Sequence, residues 1–256
     1  MSITVSELAI APVKGLRLTQ ADELEIQASG AVGDRAFVVV DEKNQLLLTT
    51  RTPALVAVAQ RWDPTSGELA LSFPDGGEVA GVPHPGETVR TGLYDGRRIG
   101  GRLVSGPHAE ALSEHLGRPV RLVALDSDEV GADDFPVTLM STASAAALGE
   151  ALDGGVPDPR RFRMTITVEG AGAWEEHGWA GREVEVGEAR LRVVDPVPRC
   201  VVTTRDPESG RRDAPVLQTL ARLRGKENVN FGVWCEVARP GRVCRGDRVV
   251  PSGATA

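Results

Sequence analysis

The chain has 256 residues, 41% of them hydrophobic and 25% charged, with a formal net charge of −7. That length buries a substantial core as one large domain or two small ones, and the composition is that of a soluble globular protein. The acid excess argues against nucleic-acid binding, and no apolar run nears the roughly 18 residues of a membrane span.

In chain order, the start Met1-Ser-Ile-Thr-Val-Ser-Glu-Leu8 has neither a basic nor an apolar signal region. Residues 9–13, 36–40, 55–58 and 68–72 read as short strands, separated by turn signals such as Asp75-Gly-Gly77 and Asp95-Gly96. A helix is expected over 107–116, with Ala109, Leu112 and Leu116 on one face and Gly117 as its stop. A strand follows at 120–124, and the acidic stretch 126–134 is a connecting loop. The expected division is therefore 1–126 and 127–256. The second part opens with a strand at 135–139 and a helix from Ser141 through the alanines, stopping by Gly154-Gly155. Strands at 163–168, 183–186 and 190–194, a helix over 215–224 closed by Gly225, and strands at 231–237 and 248–250 complete it. Strands dominate, and three helices decorate them.

Several chemistries lack their signatures. There is no Gly-rich phosphate loop and no G-x-G-x-x-G. His84, His108, His115 and His177 lie in separate contexts without C-x-x-C or H-E-x-x-H, so a zinc site is unsupported. Glu175-Glu176 before His177 reads as a solvated acidic pair. Three cysteines, Cys200, Cys235 and Cys244, make no disulfide framework and suit a reducing cytoplasm. Of these, Cys200 stands out. It follows the restricted turn Pro196-Val-Pro-Arg199, and the Arg199 guanidinium would stabilise its thiolate if it pointed inward, although neighbours in a strand point opposite ways. Cys235 and Cys244 read as structural. Ser141 and Thr142 at a helix start offer donors to an anion, or simply cap the helix. Between Arg199 and Arg248, eleven Lys and Arg face six Asp and Glu, a locally basic segment in an acidic chain.

The residues Pro12-Val-Lys-Gly-Leu16, Gly33-Asp-Arg35, Leu48-Thr-Thr-Arg51, Arg161-Phe-Arg163, Pro198-Arg-Cys200, Thr203-Thr204, Phe231-Gly232 and Gly246-Asp247 recur in this order in one known family. The chain resembles the MOSC proteins, in the two-part form of the amidoxime-reducing components and their bacterial relatives. The resemblance implies a mainly β (α+β) fold: a MOSC N-terminal β-barrel-like domain followed by a MOSC β-barrel domain with a few peripheral helices. It further implies a molybdenum cofactor, a molybdopterin, seated between the parts. Cys200 would supply the protein thiolate to the metal, Lys14, Arg35, Ser141, Thr142 and Arg163 would grip the pterin or its phosphate, and Thr165 and Arg199 would line the site. Gly15, Met164-Thr165, Pro198 and Trp234 depart from the family's commoner residues.

The expected activity is reduction of an N-oxygenated small molecule by a cytoplasmic molybdenum oxidoreductase. No cysteine cluster follows Cys244, so electrons would come from a separate ferredoxin- or flavoprotein-type donor. The alternatives are a sulfur carrier or sulfurtransferase using a Cys200 persulfide, and a non-catalytic carrier of the cofactor. Pyridoxal phosphate is a secondary alternative ligand. Neither nucleic acid nor membrane is expected as a partner.

Overall fold

The computed structural model describes residues 2–93, 95–126, 129, 131, 133–152, 155 and 158–253. Its largest element is a closed barrel. Strands Ile166–Glu169, Val137–Ser141, Asn230–Arg239, Ala189–Pro198, Glu183–Val186, Arg248–Pro251 and Ile3–Ile10 pair in that order, and Ile3–Ile10 pairs back onto Ile166–Glu169 to close the ring. Thr19–Ala21 extends the sheet beyond Ile3–Ile10. Closure leaves no open edge among the seven barrel strands. Strand alternation fills the interior: Val184 and Val186 point inward while Glu183 and Glu185 face out. Val5, Leu8, Leu139, Ile166, Leu191, Val193, Val233 and Cys235 belong to that core.

The N-terminal strand therefore serves a barrel whose other strands all come from the second half. A further exchange joins Gly241–Cys244 to Glu23–Gln27 in a small sheet with Gly30–Ala31. These two crossings hold the halves together by backbone hydrogen bonds.

The rest of the first half forms a four-stranded sheet, Phe37–Val40, Arg121–Leu125, Arg98–Ser105 and His84–Gly92, and a three-stranded one, Ala59–Trp62, Leu69–Ser72 and Glu78–Gly81. Helix α1 (Pro107–Leu116) packs Leu112 between them with Val39, Leu69, Leu71 and Leu122. As expected, Gly117 ends it in the left-handed conformation, its N–H donating to the last carbonyls. The expected strand at 55–58 is instead a 3-10 turn, Pro53–Ala57, started by a proline that fixes the helical φ. The expected strand at 9–13 lies earlier, at Ile3–Ile10.

Helices α2 (Thr142–Glu150) and α3 (Val216–Arg224) cover a third core built from Met140, Leu148, Phe162, Met164, Leu220 and Phe231. Helix α2 stops at Glu150; the expected stop at Gly154 lies outside the described residues. Among the described residues, no helix is long and apolar enough to cross a membrane.

Candidate functional site

Turns from both halves meet at one junction. The Lys14 amide donates to Phe37 O at 2.8 Å, and its ammonium donates to Gly131 O at 2.7 Å and Asp133 Oδ1 at 2.6 Å. Arg35 sits on a left-handed backbone, φ 54°, with its amide on Ala11 O and its guanidinium paired with Asp34. Arg163 is also left-handed, φ 56°, as the cap of the 3-10 turn Pro159–Phe162, and its Nη2 donates to Leu16 O at 2.8 Å. Non-glycine residues at positive φ cost on the order of 1 kcal/mol or more. Two arginines so held, one from each half, mark the junction as a place where packing fixes direction against local preference.

One carboxylate links the cations electrostatically. Burial lowers the proton affinity of Lys14; Asp133 opposes this, while Arg35 and Arg163 reinforce it. Burial, then Arg35, brings Arg163 down to about 10 against the pull of Asp133. Burial lowers Arg35 as well, again opposed by Asp133. Burial takes Arg199 to about 10, opposed by Cys200 and Asp133. Crowding at the junction partly desolvates the Asp133 carboxyl and resists its ionisation, although the side chain as a whole is exposed, but Lys14, Arg35 and Arg163 outweigh this and hold the carboxyl below its ordinary range. Arg163 and Arg199, each at about 10, remain charged near neutrality. With Asp34 counted beside Asp133, four cations face two carboxylates, so the junction carries surplus positive charge suited to an anion.

Cys200 borders this charge. It is exposed, follows the strand Ala189–Pro198, and caps the 3-10 turn Val201–Thr204, with its carbonyl accepting from Thr203 N at 3.2 Å and Thr203 Oγ1 at 2.9 Å. The neighbouring Arg199 lies over the Phe162 ring at 5.5 Å and donates to Phe162 O, while its Nε is buried without a partner. Phe162 stacks in turn on Phe231 at 3.8 Å. Cys235 is different: it lies in the barrel core, and burial pushes its thiol up to about 12. Cys244 is half-buried near Glu23, and its thiol is also raised, first by burial and then by Asp247.

Three other expected site residues are not drawn into this junction. Ser141 is opposite Val168 in a parallel pair, at the far end of the strand from Arg163. Its Oγ accepts from Ser144 N at 3.0 Å, and its amide donates to Glu176 Oε1 at 3.3 Å. Thr142 is exposed on the first turn of α2. Thr165 is buried, its hydroxyl and amide turned to Thr138. The Glu175-Glu176 pair, expected to be solvated, splits: Glu176 is fully buried and accepts from Ser144 Oγ at 2.9 Å. Burial raises its carboxyl, with the Ser144 and Ser141 hydrogen bonds opposing. Plain N-capping, completed by an internal carboxylate, therefore accounts for the Ser141 helix start. Sequence reasoning also missed Asp133 and Arg161. Asp133 lay in a stretch read as a connecting loop, and Arg161 was visible only as part of a motif.

A phosphate-bearing metal cofactor fits these groups. Among the described residues, no three His, Cys, Asp or Glu side chains group to hold a metal ion, so a metal at Cys200 would take its remaining ligands from an organic carrier. The cationic junction would supply the grip for such a carrier's anionic end, and the unpartnered Arg199 Nε is a donor left over near Cys200. Gly15 also becomes intelligible. Its φ is +92°, and an added Cβ would come within 3.1 Å of Thr49 Oγ1, so any side chain there would be strained.

The family model of the MOSC domain matches residues 126–250, and that of the MOSC N-terminal beta barrel domain matches residues 2–92. The chain belongs to the MOSC family. This MOSC protein is 29% identical over 285 residues to mitochondrial amidoxime-reducing component 1 of Xenopus laevis, covering 96% of the chain and 81% of that protein. It is 26% identical over 281 residues to the Homo sapiens counterpart, covering 96% and 82%. It is also 24% identical over 287 residues to the Homo sapiens molybdenum cofactor sulfurase, of which it spans 32%. Among solved structures, the YUAD protein of Bacillus subtilis shares the fold at a TM-score of 0.51 and 13% identity, over 98% of this chain and 96% of that one.

Proposed function

We propose that this MOSC protein binds a molybdenum cofactor and reduces N-oxygenated small molecules such as hydroxylamines or amidoximes. The observation that carries the proposal is the placement of one exposed cysteine beside a guanidinium, at the edge of a four-cation junction built from both halves. Cys200 would hold the metal by its thiolate. Lys14, Arg35 and Arg163 would hold the phosphate, with Lys14 exchanging Asp133 for the incoming anion. Arg199 would keep positive charge beside the thiolate and so favour its ionised form. Bound there, the cofactor would supply the two-electron redox chemistry. The amidoxime-reducing components among the relatives support this class of substrate. We place the protein in the cytoplasm, where its three unpaired cysteines stay reduced, and assign electron delivery to a separate ferredoxin- or flavoprotein-type donor.

A second reading, sulfur transfer through a Cys200 persulfide, draws on the exposed thiol and on the molybdenum cofactor sulfurase among the relatives. Turnover separates the two. Protein made in a cofactor-producing host should consume a reduced viologen dye in step with amidoxime reduction, and Cys200→Ala should lose that activity while keeping its fold. Sulfane sulfur released from Cys200 without dye consumption would favour sulfur transfer instead.

A further inference from the structure

The tripeptide Arg161-Phe162-Arg163 touches three parts of the junction. Arg163 donates to Leu16 O in the first half, and the Phe162 ring and carbonyl seat Arg199. Arg161 has no part in the function proposed above, yet its side chain is only 3% exposed. It forms a two-pronged pair with Asp213, Nη1 to Oδ1 at 3.0 Å and Nη2 to Oδ2 at 2.9 Å. Nη1 also donates to Thr203 O at 3.2 Å and Arg205 O at 3.1 Å, and Nε to Asp158 O at 3.2 Å. These contacts engage the end of the turn Val201–Thr204, whose Thr203 holds the Cys200 carbonyl.

The last carbonyls of a short helical turn have no partner within it, and a buried one must find a donor elsewhere. A guanidinium meets this need with several directed donors at once, whereas an ammonium is a single point charge without the planar fork. The contacts run from Asp213 through Arg161 and Thr203 to Cys200. The peptide next to Arg161 fixes Arg199. The turn Pro159–Phe162 thus braces the Cys200 backbone through Thr203 and seats the Arg199 guanidinium beside it.

We propose that Arg161, clamped by Asp213, is a positioning residue that holds the Cys200 thiol against the Arg199 guanidinium. The inference rests on Cys200 being the functional thiol, but on no particular metal.

The test uses the full chain from a host lacking the cofactor, with Cys244→Ser so that Cys200 is the accessible thiol. Cys200 is alkylated with neutral iodoacetamide and with anionic iodoacetate at low salt, and the ratio of the two rates reads the positive charge at the sulfur. Arg161→Gln should lower the iodoacetate-to-iodoacetamide ratio by roughly threefold or more, the scale of losing one close charge at a partly exposed site. Asp213→Asn should lower it less, and Arg161→Lys should restore it only in part. Val186→Ala, a change in the barrel core away from this turn, should reduce the melting temperature and leave the ratio alone. An unchanged ratio in Arg161→Gln beside a lowered melting temperature would make Arg161 a structural brace and overturn the proposal. Should Arg161→Gln fail to fold, an unchanged ratio in Asp213→Asn overturns it equally. The outcome is separable from the cofactor reading: an Arg161-dependent ratio in a chain that never takes up molybdenum keeps the positioning role and sinks the oxidoreductase.

Discussion

The α2 helix start and the Lys14 junction are both suited to an anion, yet they differ in what fills them. At the helix start, Glu176 is fully buried and takes hydrogen bonds from Ser141 N and Ser144 Oγ. Its donors are spent within the protein. At the junction, Asp133 faces Lys14, Arg35, Arg163 and Arg199, but its side chain is 61% exposed. Four cations cannot be neutralised by one solvent-facing carboxylate and the Asp34 partner of Arg35. A helix N-terminus is thus no guide to a ligand until its own capping groups are counted, whereas unbalanced cations with a replaceable carboxylate are.

The largest stability effect should come from breaking the helix start. Glu176→Ala removes the carboxylate acceptor of the Ser141 amide, and a buried unsatisfied group costs about 1–3 kcal/mol. Calorimetry should show a fall in melting temperature of several degrees. Molybdenum retention should be unchanged; its loss would show that the helix start serves the ligand after all.

The junction should respond the opposite way. Arg163→Lys, and separately Arg35→Ala, should weaken equilibrium loading of apoprotein with cofactor by roughly 1–3 kcal/mol, the cost of one charged hydrogen-bonding partner. Unchanged affinity in both variants would reduce these arginines to structural roles.

Smaller effects should appear as opposite pH slopes. Glu176 has a raised folded-state pKa, so the folded state holds its proton more tightly than the unfolded one. Its contribution is present below the ordinary glutamate range and is lost as pH rises through the raised value. Glu176→Gln should remove that loss. Asp133 has a lowered pKa, so its contribution is present above the ordinary aspartate range and is lost as pH falls through the lowered value. Asp133→Asn should remove the acid-side loss and, by freeing Lys14, slightly tighten phosphate binding measured by calorimetry. Slopes of the same sign for the two residues would contradict the contrast between them.

Local features of the fold were legible in the sequence, and long-range ones were not. The helix at Pro107–Leu116 and its Gly117 stop follow from apolar spacing and from glycine's access to positive φ. Closure of the barrel by Ile3–Ile10 depends on pairing with residues some 160 positions away, which no local pattern encodes. The candidate site divides the same way. Cys200, Lys14, Arg35, Arg163 and Arg199 could be picked out because each sits in a short distinctive run. Asp133 and Glu176 could not, because a carboxylate in an acid-rich stretch reads as solvated. Glu176 meets Ser144 only across 32 residues of chain. Ser141 misled because its capping signal is the same whether an outside anion or an internal carboxylate completes it.

The central claim is that Cys200 and the junction beside it form the cofactor's seat while the chemically similar Cys235 is core packing. Molybdenum per chain, measured by elemental analysis on protein from a cofactor-producing host, tests it most directly. Wild type and Cys235→Ala should carry equimolar molybdenum, and Cys200→Ala should carry almost none with its fold intact. Equal molybdenum in the Cys200→Ala and Cys235→Ala proteins would contradict the account.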